Sequence, residues 1–298
     1  MKTYKLAAFD MDGTFLNSRK EILPSTARAC KRASAAGKIV AIDTGRAVSE
    51  LTLYPFGEMG IRYGACTCGT VIYDFELGKV LAKKAIPAEF IPVIAEASAK
   101  EDLMLQVMLD GVSYVEAADV KNMPHFHMAV YQPLYEATTA CVEDVRAFAV
   151  EHAREINKMN LYHATPEGRL RTQERLAHLP LDFTYAEQTS LEITPQGVSK
   201  GTGLVDLCAV LGVPIEETIG VGDAYNDVPM LKTAGLGVAM GNSNEEALAA
   251  AAVIVADNDH DGIAEVIDRY LMRYDSHPEY FLNISRYSCS TSAKGLTV

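Results

Sequence analysis

The chain has 298 residues, of which 49% are hydrophobic, and its formal net charge at pH 7 is −12. This length allows a large core and more than one domain. The negative charge argues against nucleic acid and anionic membrane as partners, because both bind clustered cations. The apolar segments, including the run at residues 247–256, are too short for a secretory signal or a membrane span. We therefore expect a cytoplasmic protein.

The N-terminal part of the chain alternates predicted strands and helices. An apolar run at residues 6–9 is too short for a helix and predicts a buried strand. Pro24 opens an alanine-rich helix, and Gly37 closes it. Further strands are predicted at 38–42 and 61–66, with a second helical stretch between them. Alternation of this kind predicts a parallel sheet.

After the third strand the pattern changes. Apolar runs at 103–109 and 112–116 flank Asp110-Gly111, which predicts an antiparallel hairpin. Helical patterns are interleaved with these strands near 88–100, 136–155 and 166–178. Residues 83–188 are therefore interpreted as an α+β insert.

Strand–helix alternation resumes around 191–194 and includes a predicted helix at Lys200–Leu211. The fold class expected is α/β, with a doubly wound parallel-sheet core built from residues 1–82 and 189–272. The α+β domain of residues 83–188 interrupts this core. Residues 273–298 show no periodicity and are interpreted as an irregular C-terminal tail.

Polar clusters fall at or near the ends of the predicted core strands. They are Asp10 and Asp12, Thr44-Gly45-Arg46, Lys200, and Gly222-Asp223-Ala224-Tyr225-Asn226-Asp227. Taken singly, each has an ordinary structural explanation, such as a helix N-cap for Thr44 or a solvated helix start for Lys200. Ligands of a parallel sheet bind beyond the carboxyl ends of its strands, so a shared edge favours one site.

The residue types in these clusters suit phosphoryl transfer, which needs a nucleophile, an acid/base, a divalent cation and cationic groups around the phosphate. Asp10 and Asp223, with a backbone carbonyl of the turn, offer the hard oxygen ligands that Mg²⁺ prefers. Lys200 and the N–H groups after Thr44 would supply the positive potential that the overall charge does not.

The chain resembles the haloacid dehalogenase superfamily of phosphatases in four motifs, taken in order: Asp10-Met11-Asp12-Gly13-Thr14, Thr44-Gly45-Arg46, Lys200, and Gly222 to Asp227. The position of the insert between the second and third motifs is similar to the Cof-type branch, which carries a large α/β cap (class IIB). The run from Glu192 to Gly201 also resembles that branch. The resemblance covers roughly residues 4–272.

The resemblance implies a role for each motif residue. Asp10 would be the nucleophile that forms an aspartyl-phosphate, and Asp12 would be the general acid and base. The implied phosphate-binding residues are Thr44, Gly45, Arg46, Lys200 and Asn226. The implied Mg²⁺ ligands are Asp10, Asp12, Asp223 and Asp227. The implied substrate is a small phosphomonoester, such as a sugar phosphate or a phosphorylated cofactor, and the insert would act as the specificity-giving cap. Monomer and dimer both remain open.

Two other functions fit the same motifs. A phosphomutase would return the phosphate to another hydroxyl, and a catalytically silent sensor would only bind a phospho-ligand. The intact pair of Asp10 and Asp12 argues against the sensor.

Two positions depart from the Cof-type pattern. Asp43 stands where that branch has a small residue, and we expect it to face away from the phosphate or to pair with a cation such as Arg46. Cys68 begins a Cys-Gly-Thr run where the branch has Asn-Gly-Ala. Cys66 and Cys68 lack zinc-ligand spacing and are interpreted as the two faces of one strand.

Overall fold

The computed structural model describes residues 3–185 and 189–273. The predicted tail lies, apart from its first residue, outside the described residues. Within them, no helix is long and apolar enough to cross a membrane.

The described strands form two sheets. In chain order they are β1 (Leu6–Phe9), β2 (Ile39–Asp43), β3 (Tyr63–Cys66), β4 (Val71–Asp74), β5 (Lys79–Lys83), β6 (Leu103–Leu109), β7 (Val112–Glu116), β8 (Ala140–Val142), β9 (Ile156–His163), β10 (Leu181–Thr184), β11 (Ser190–Pro195), β12 (Thr218–Gly222), β13 (Leu236–Ala239) and β14 (Val253–Ile254).

The described α-helices cover both sheets. In chain order they are α1 (Pro24–Ala35), α2 (Ile91–Ser98), α3 (Ala117–Lys121), α4 (Gln132–Thr138), α5 (Val145–Glu151), α6 (Pro166–Leu176), α7 (Lys200–Leu211), α8 (Val228–Thr233), α9 (Glu245–Ala250) and α10 (Gly262–Val266). A π-helical turn, Ile267–Leu271, continues α10. Short 3₁₀ turns connect several of these elements, among them Val48–Leu51 and Thr67–Gly69.

The first sheet has the order β14-β13-β12-β1-β2-β3-β4-β5. Its strands run parallel from β14 to β3, and β4 and β5 extend the edge as antiparallel strands. Because side chains alternate along β1, Ala7 and Phe9 pack with α1 and α10, whereas Leu6 and Ala8 pack with α7 and α8. The predicted doubly wound α/β core is confirmed, and we refer to this unit as the core.

The second sheet has the order β10-β11-β9-β6-β7-β8 and forms the unit that we refer to as the cap. The predicted β6–β7 hairpin is confirmed, with positive φ at both Asp110 (49°) and Gly111 (84°). Alternation along β6 directs Leu103, Leu105 and Val107 into the core of the cap itself. Gln106 lies on the other side and lines the cavity between the two sheets.

The predicted domain boundary at residue 189 is wrong. Strand β11 pairs with β9 and β10 in the second sheet, so the cap continues to Pro195 before α7 returns the chain to the core. A buried strand pattern does not reveal which sheet the strand joins, and β11 is buried along its whole length.

The helix predicted over 136–155 is also wrong, because this stretch contains the end of α4, the short strand β8 and then α5. Asp144 accepts hydrogen bonds from the backbone N–H groups of Arg146 and Ala147, both at 2.9 Å. It therefore starts a new helix as its N-cap.

Candidate active site

Asp10 lies directly after β1, and its backbone N–H continues the sheet by donating to the Val221 carbonyl at 2.9 Å. Gly13 turns the chain with φ of 82°, and a Cβ there would lie 2.3 Å from Asp223 Oδ2. Thr14 Oγ1 donates to Asp223 Oδ1 at 2.8 Å. Glycine is needed here for its backbone angle and for the close approach of Asp223.

Lys200 is the first residue of α7 and extends beneath Asp10. Its ammonium group donates to Asp10 Oδ1 and to Asp227 Oδ1, both at 2.5 Å, and its side chain has no exposed surface. The other oxygen of Asp227 accepts the backbone N–H groups of Asp223 and Ala224 at 2.9 and 3.0 Å. Asp227 therefore holds Lys200 in place, and Lys200 in turn holds the carboxylate of Asp10.

Asp10, Asp223 and Asp227 form an acidic cluster in which one oxygen of each lies within 4.8 Å of the others. Burial raises the pKa of Asp10 well above its usual range, against the opposing effect of Lys200, and the other two carboxylates raise it further. Burial, followed by the charge of Asp227, raises the pKa of Asp223 to about 6. Three carboxylates, two of them buried, lie around one lysine, and their hard oxygens fit Mg²⁺.

Asp12 faces the same cavity but is bound by two cations. Arg46 donates from Nε to Oδ2 at 2.7 Å and from Nη2 to Oδ1 at 2.8 Å, and Lys20 Nζ donates to Oδ1 at 2.8 Å. Burial alone would raise the pKa of Asp12, but Arg46 and then Lys20 outweigh it and lower this pKa to about 2. Asp12 is thus an ionised carboxylate, and its side chain lies outside the three-carboxylate cluster.

Thr44, Gly45 and Asn226 line the cavity together with Asp10 and Asp12. The Thr44 hydroxyl accepts the backbone N–H of Arg46 at 3.2 Å, which shapes the turn. Asn226 Oδ1 is buried with no hydrogen-bond partner in the described part of the chain.

The structure brings together every residue predicted for the site, though not in one layer. Seven line the cavity, namely Asp10, Asp12, Thr44, Gly45, Arg46, Asp223 and Asn226. Lys200 and Asp227 lie behind Asp10, while the guanidinium group of Arg46, predicted to bind phosphate, is engaged by Asp12.

Asp43 has no exposed surface, and neither of its carboxyl oxygens has a hydrogen-bond partner among the described residues. Burial raises its pKa well above the usual range, although Lys200 opposes the shift. The expected pairing with Arg46 is wrong because Asp12 occupies that guanidinium group. Asp43 is not among the residues that line the cavity, which agrees with the other expectation, that it faces away from the phosphate.

The interpretation of Cys66 and Cys68 as two faces of a strand is wrong, because β3 ends at Cys66 and Cys68 lies in the following 3₁₀ turn with φ of 57°. Its thiol is 3.2 Å from Nζ of Lys158, a fully buried lysine of β9. Lys158 also donates to the Gly45 carbonyl at 3.2 Å and to Glu192 Oε2 at 2.9 Å. A cap side chain therefore holds the turn of the core that contains Gly45.

The cavity between core and cap has a volume of about 310 Å³. The cap contributes the carboxylate of Glu192, which is paired with Lys158, and a set of amide, aromatic and apolar side chains. We refer to the latter set as the cap wall: Gln106, Met108, Met128, Tyr131, Leu134, Tyr135, Asn160 and Tyr162. No sequence motif indicated this wall, nor Lys20 and Glu50, which line the cavity from the core. The polar Gln106 within the apolar run of β6 was the one signal available.

This fold, with an aspartate cluster at the strand ends beneath an inserted cap, defines a hydrolase of the haloacid dehalogenase type. The sequence profile of the haloacid dehalogenase-like hydrolases matches residues 7–267. The chain belongs to this family and to its Cof-type branch, and it is a phosphoric monoester hydrolase.

Three similar proteins illustrate the match. Pyridoxal phosphate phosphatase YbhA of Escherichia coli is 31% identical over 91% of this chain and 100% of its own length. A haloacid dehalogenase-like hydrolase from Bacteroides thetaiotaomicron has a crystal structure with a TM-score of 0.77 and 26% identity, covering 90% of this chain and 99% of that one. The subclass IIB sugar phosphatase BT4131 has a TM-score of 0.73 and 25% identity, covering 89% of this chain and 98% of that one.

Proposed function

We propose that the protein is a Mg²⁺-dependent phosphatase that hydrolyses a small phosphomonoester through an aspartyl-phosphate on Asp10. The observation that carries this proposal is the setting of Asp10, which is held by Lys200 at 2.5 Å and faces a cavity shared with Asp12. The relatives named as pyridoxal phosphate phosphatase and sugar phosphatase support a small phosphorylated cofactor or sugar as substrate.

Asp10, Asp223 and Asp227, with a backbone carbonyl of the Asp10–Asp12 turn, would hold Mg²⁺. The ion, when bound, offsets the repulsion between the Asp10 carboxylate and the phosphate dianion and polarises the phosphoryl group.

In the first step Asp10 attacks phosphorus, because a carboxylate so placed can act as a nucleophile. Lys200 binds Oδ1, which leaves Oδ2 outside that ion pair. A bond forms between the Asp10 oxygen and phosphorus, the bond from phosphorus to the ester oxygen breaks, and the departing oxygen takes a proton from Asp12.

Asp12 must gain that proton beforehand, since its pKa of about 2 leaves it ionised at neutral pH. An incoming phosphate dianion competes for Arg46 and Lys20. Transfer of these cations to phosphoryl oxygens, together with the negative charge of the substrate, raises the pKa of Asp12. This exchange gives Arg46 its predicted phosphate-binding role.

In the second step Asp12, now a carboxylate, removes a proton from water. The water oxygen bonds to phosphorus, the bond to Asp10 breaks, and inorganic phosphate leaves with Asp10 restored as a carboxylate. Thr44 and Asn226 would hold the phosphoryl group between the two steps.

The test is release of inorganic phosphate from p-nitrophenyl phosphate, with Mg²⁺ and with a chelator. We expect Mg²⁺-dependent turnover that Asp10→Asn lowers by several orders of magnitude, because an amide is a poor nucleophile. The control is Asp268→Asn. It removes an exposed carboxylate that pairs with Arg32 and does not line the cavity. Full activity with the chelator, or an Asp10→Asn variant with more than about a tenth of wild-type kcat, would contradict the mechanism.

A further inference from the structure

The cap wall carries no lysine, arginine or histidine among the described residues that line the cavity. The two cations that do line it, Lys20 and Arg46, come from the core, and both bind Asp12. If the phosphate takes these two cations, as the proposed function requires, the described lining residues offer no cation for a second negative charge on the substrate.

Glu50, an acidic side chain of the core, orients Gln106 of the cap wall and through it the neighbouring polar side chains. Glu50 is buried and accepts a hydrogen bond from Nε2 of Gln106 at 2.7 Å. Gln106 therefore directs its carbonyl oxygen towards Asn160, whose Nδ2 donates to it at 2.8 Å. Tyr162 OH donates to the same oxygen at 3.1 Å.

This chain of hydrogen bonds leaves one acceptor of the cap wall without a donor among the described residues. Asn160 is 2% exposed, and its Oδ1 has no donor within the described residues. The amide cannot be turned over to relieve this, because its Nδ2 is needed by Gln106 and Tyr162 at 2.8 and 3.0 Å. A buried acceptor without a donor, beside the carboxyl group of Glu50, favours hydrogen-bond donors and opposes negative charge.

We propose that the cap wall selects phosphomonoesters whose leaving group has no negative charge and carries hydroxyl or amino donors, and that it excludes leaving groups bearing a carboxylate or a second phosphate. This inference rests on the proposed phosphatase function. Methionine, leucine and tyrosine side chains supply the remaining surface of the wall, which suits an apolar or flat body between the phosphate and the donors.

The test compares benzyl phosphates that carry hydroxymethyl, aminomethyl or carboxylate groups in the meta and para positions. The methylene group insulates the ester oxygen from the substituent, so leaving-group reactivity stays similar while charge changes. For the wild-type enzyme we expect kcat/KM for the carboxylate to be about a hundredfold below that for the hydroxymethyl compound, as for a charge buried without a partner. The aminomethyl compound should be at least as good as the hydroxymethyl compound.

Leu134 in α4 lines the cavity and is half-buried, so a lysine there can reach the wall without entering the core of the cap. Leu134→Lys should raise kcat/KM for the carboxylate compound at least about tenfold, since the new cation partners the anion. Leu134→Met is the uncharged control. Val130→Lys adds the same charge at a position that is 63% exposed and outside the cavity, and both controls should keep the wild-type ranking.

Comparable wild-type kcat/KM for the carboxylate and hydroxymethyl compounds would overturn the inference whether or not any variant folds, and so would the same gain in Val130→Lys as in Leu134→Lys. If the wild-type enzyme released phosphate neither from the benzyl phosphates nor from p-nitrophenyl phosphate, the proposed function itself would be overturned.

Discussion

The core and the cap face one cavity with different chemistry. The core side presents acidic side chains that are held by cations, Asp12 by Arg46 and Asp10 by the buried Lys200. The cap side presents amides, tyrosines and apolar side chains without a cation among the described residues. This division shows how one phosphoryl-transfer site can serve different substrates, because the reacting phosphate and the leaving group are contacted by separate units of the chain.

The largest expected effect is a loss of kcat when Asp12, on the core side of the cavity, is replaced. Asp12→Ala should lower kcat for benzyl phosphate by a factor of about 10²–10⁴, the usual contribution of a general acid–base group. The loss of phosphorylation rate should be smaller for p-nitrophenyl phosphate, whose leaving group needs no proton, although hydrolysis of the intermediate stays impaired. Burst and steady-state kinetics on both esters measure the two steps. Equal wild-type and variant rates on the benzyl ester would rule out the role of Asp12.

A smaller effect concerns the buried cap lysine that contacts the core, Lys158. Lys158→Met should lower the free energy of unfolding by about 3–5 kcal/mol, because it leaves the buried Glu192 carboxylate without its cation. Urea denaturation measures the change. The matched control, Lys158→Met with Glu192→Gln, removes both charges and should recover part of the loss. A single variant as stable as wild type would show that the pair contributes nothing.

The smallest effect concerns a core residue that serves neither side of the cavity. The pKa of Asp43 is raised in the folded protein, so its proton stabilises the fold at low pH, and this stabilisation is lost as pH rises towards the folded pKa. Asp43→Asn keeps the shape without titrating. Its stability relative to wild type should therefore increase from pH 5 to pH 8, by at most about 1.4 kcal/mol per pH unit.

Denaturation at several pH values with a chelator present measures this difference for Asp43→Asn. Asp206→Asn, at a half-buried carboxylate paired with Lys84, is the control. A constant difference across the pH range would mean that Asp43 is ionised in the folded state.

The core side of the cavity could be predicted from the sequence, because its residues lie at strand ends or at glycine turns. Asp10 follows β1, and Gly13 forms the turn after it. The pairing of Asp12 with Arg46 and Lys20 was not, since it depends on the exact approach of separate loops. The cap wall was inaccessible for another reason: Gln106 and Asn160 lie inside strands and become neighbours only through the β6–β9 register. The same dependence on pairing explains the misplaced boundary at residue 189, where β11 joins the cap sheet.

The two cations on Asp12 have a consequence for the ions that surround the protein. Chloride or another weakly held anion competes for Lys20 and Arg46 with a carboxylate that already makes hydrogen bonds of 2.7–2.8 Å with them. We expect a doubly charged phosphate, which can bind both cations at once, to make that exchange more readily than a singly charged anion. Chloride should therefore be a weak competitor for these two cations. We expect kcat/KM to change with added chloride only as far as ordinary ionic screening requires.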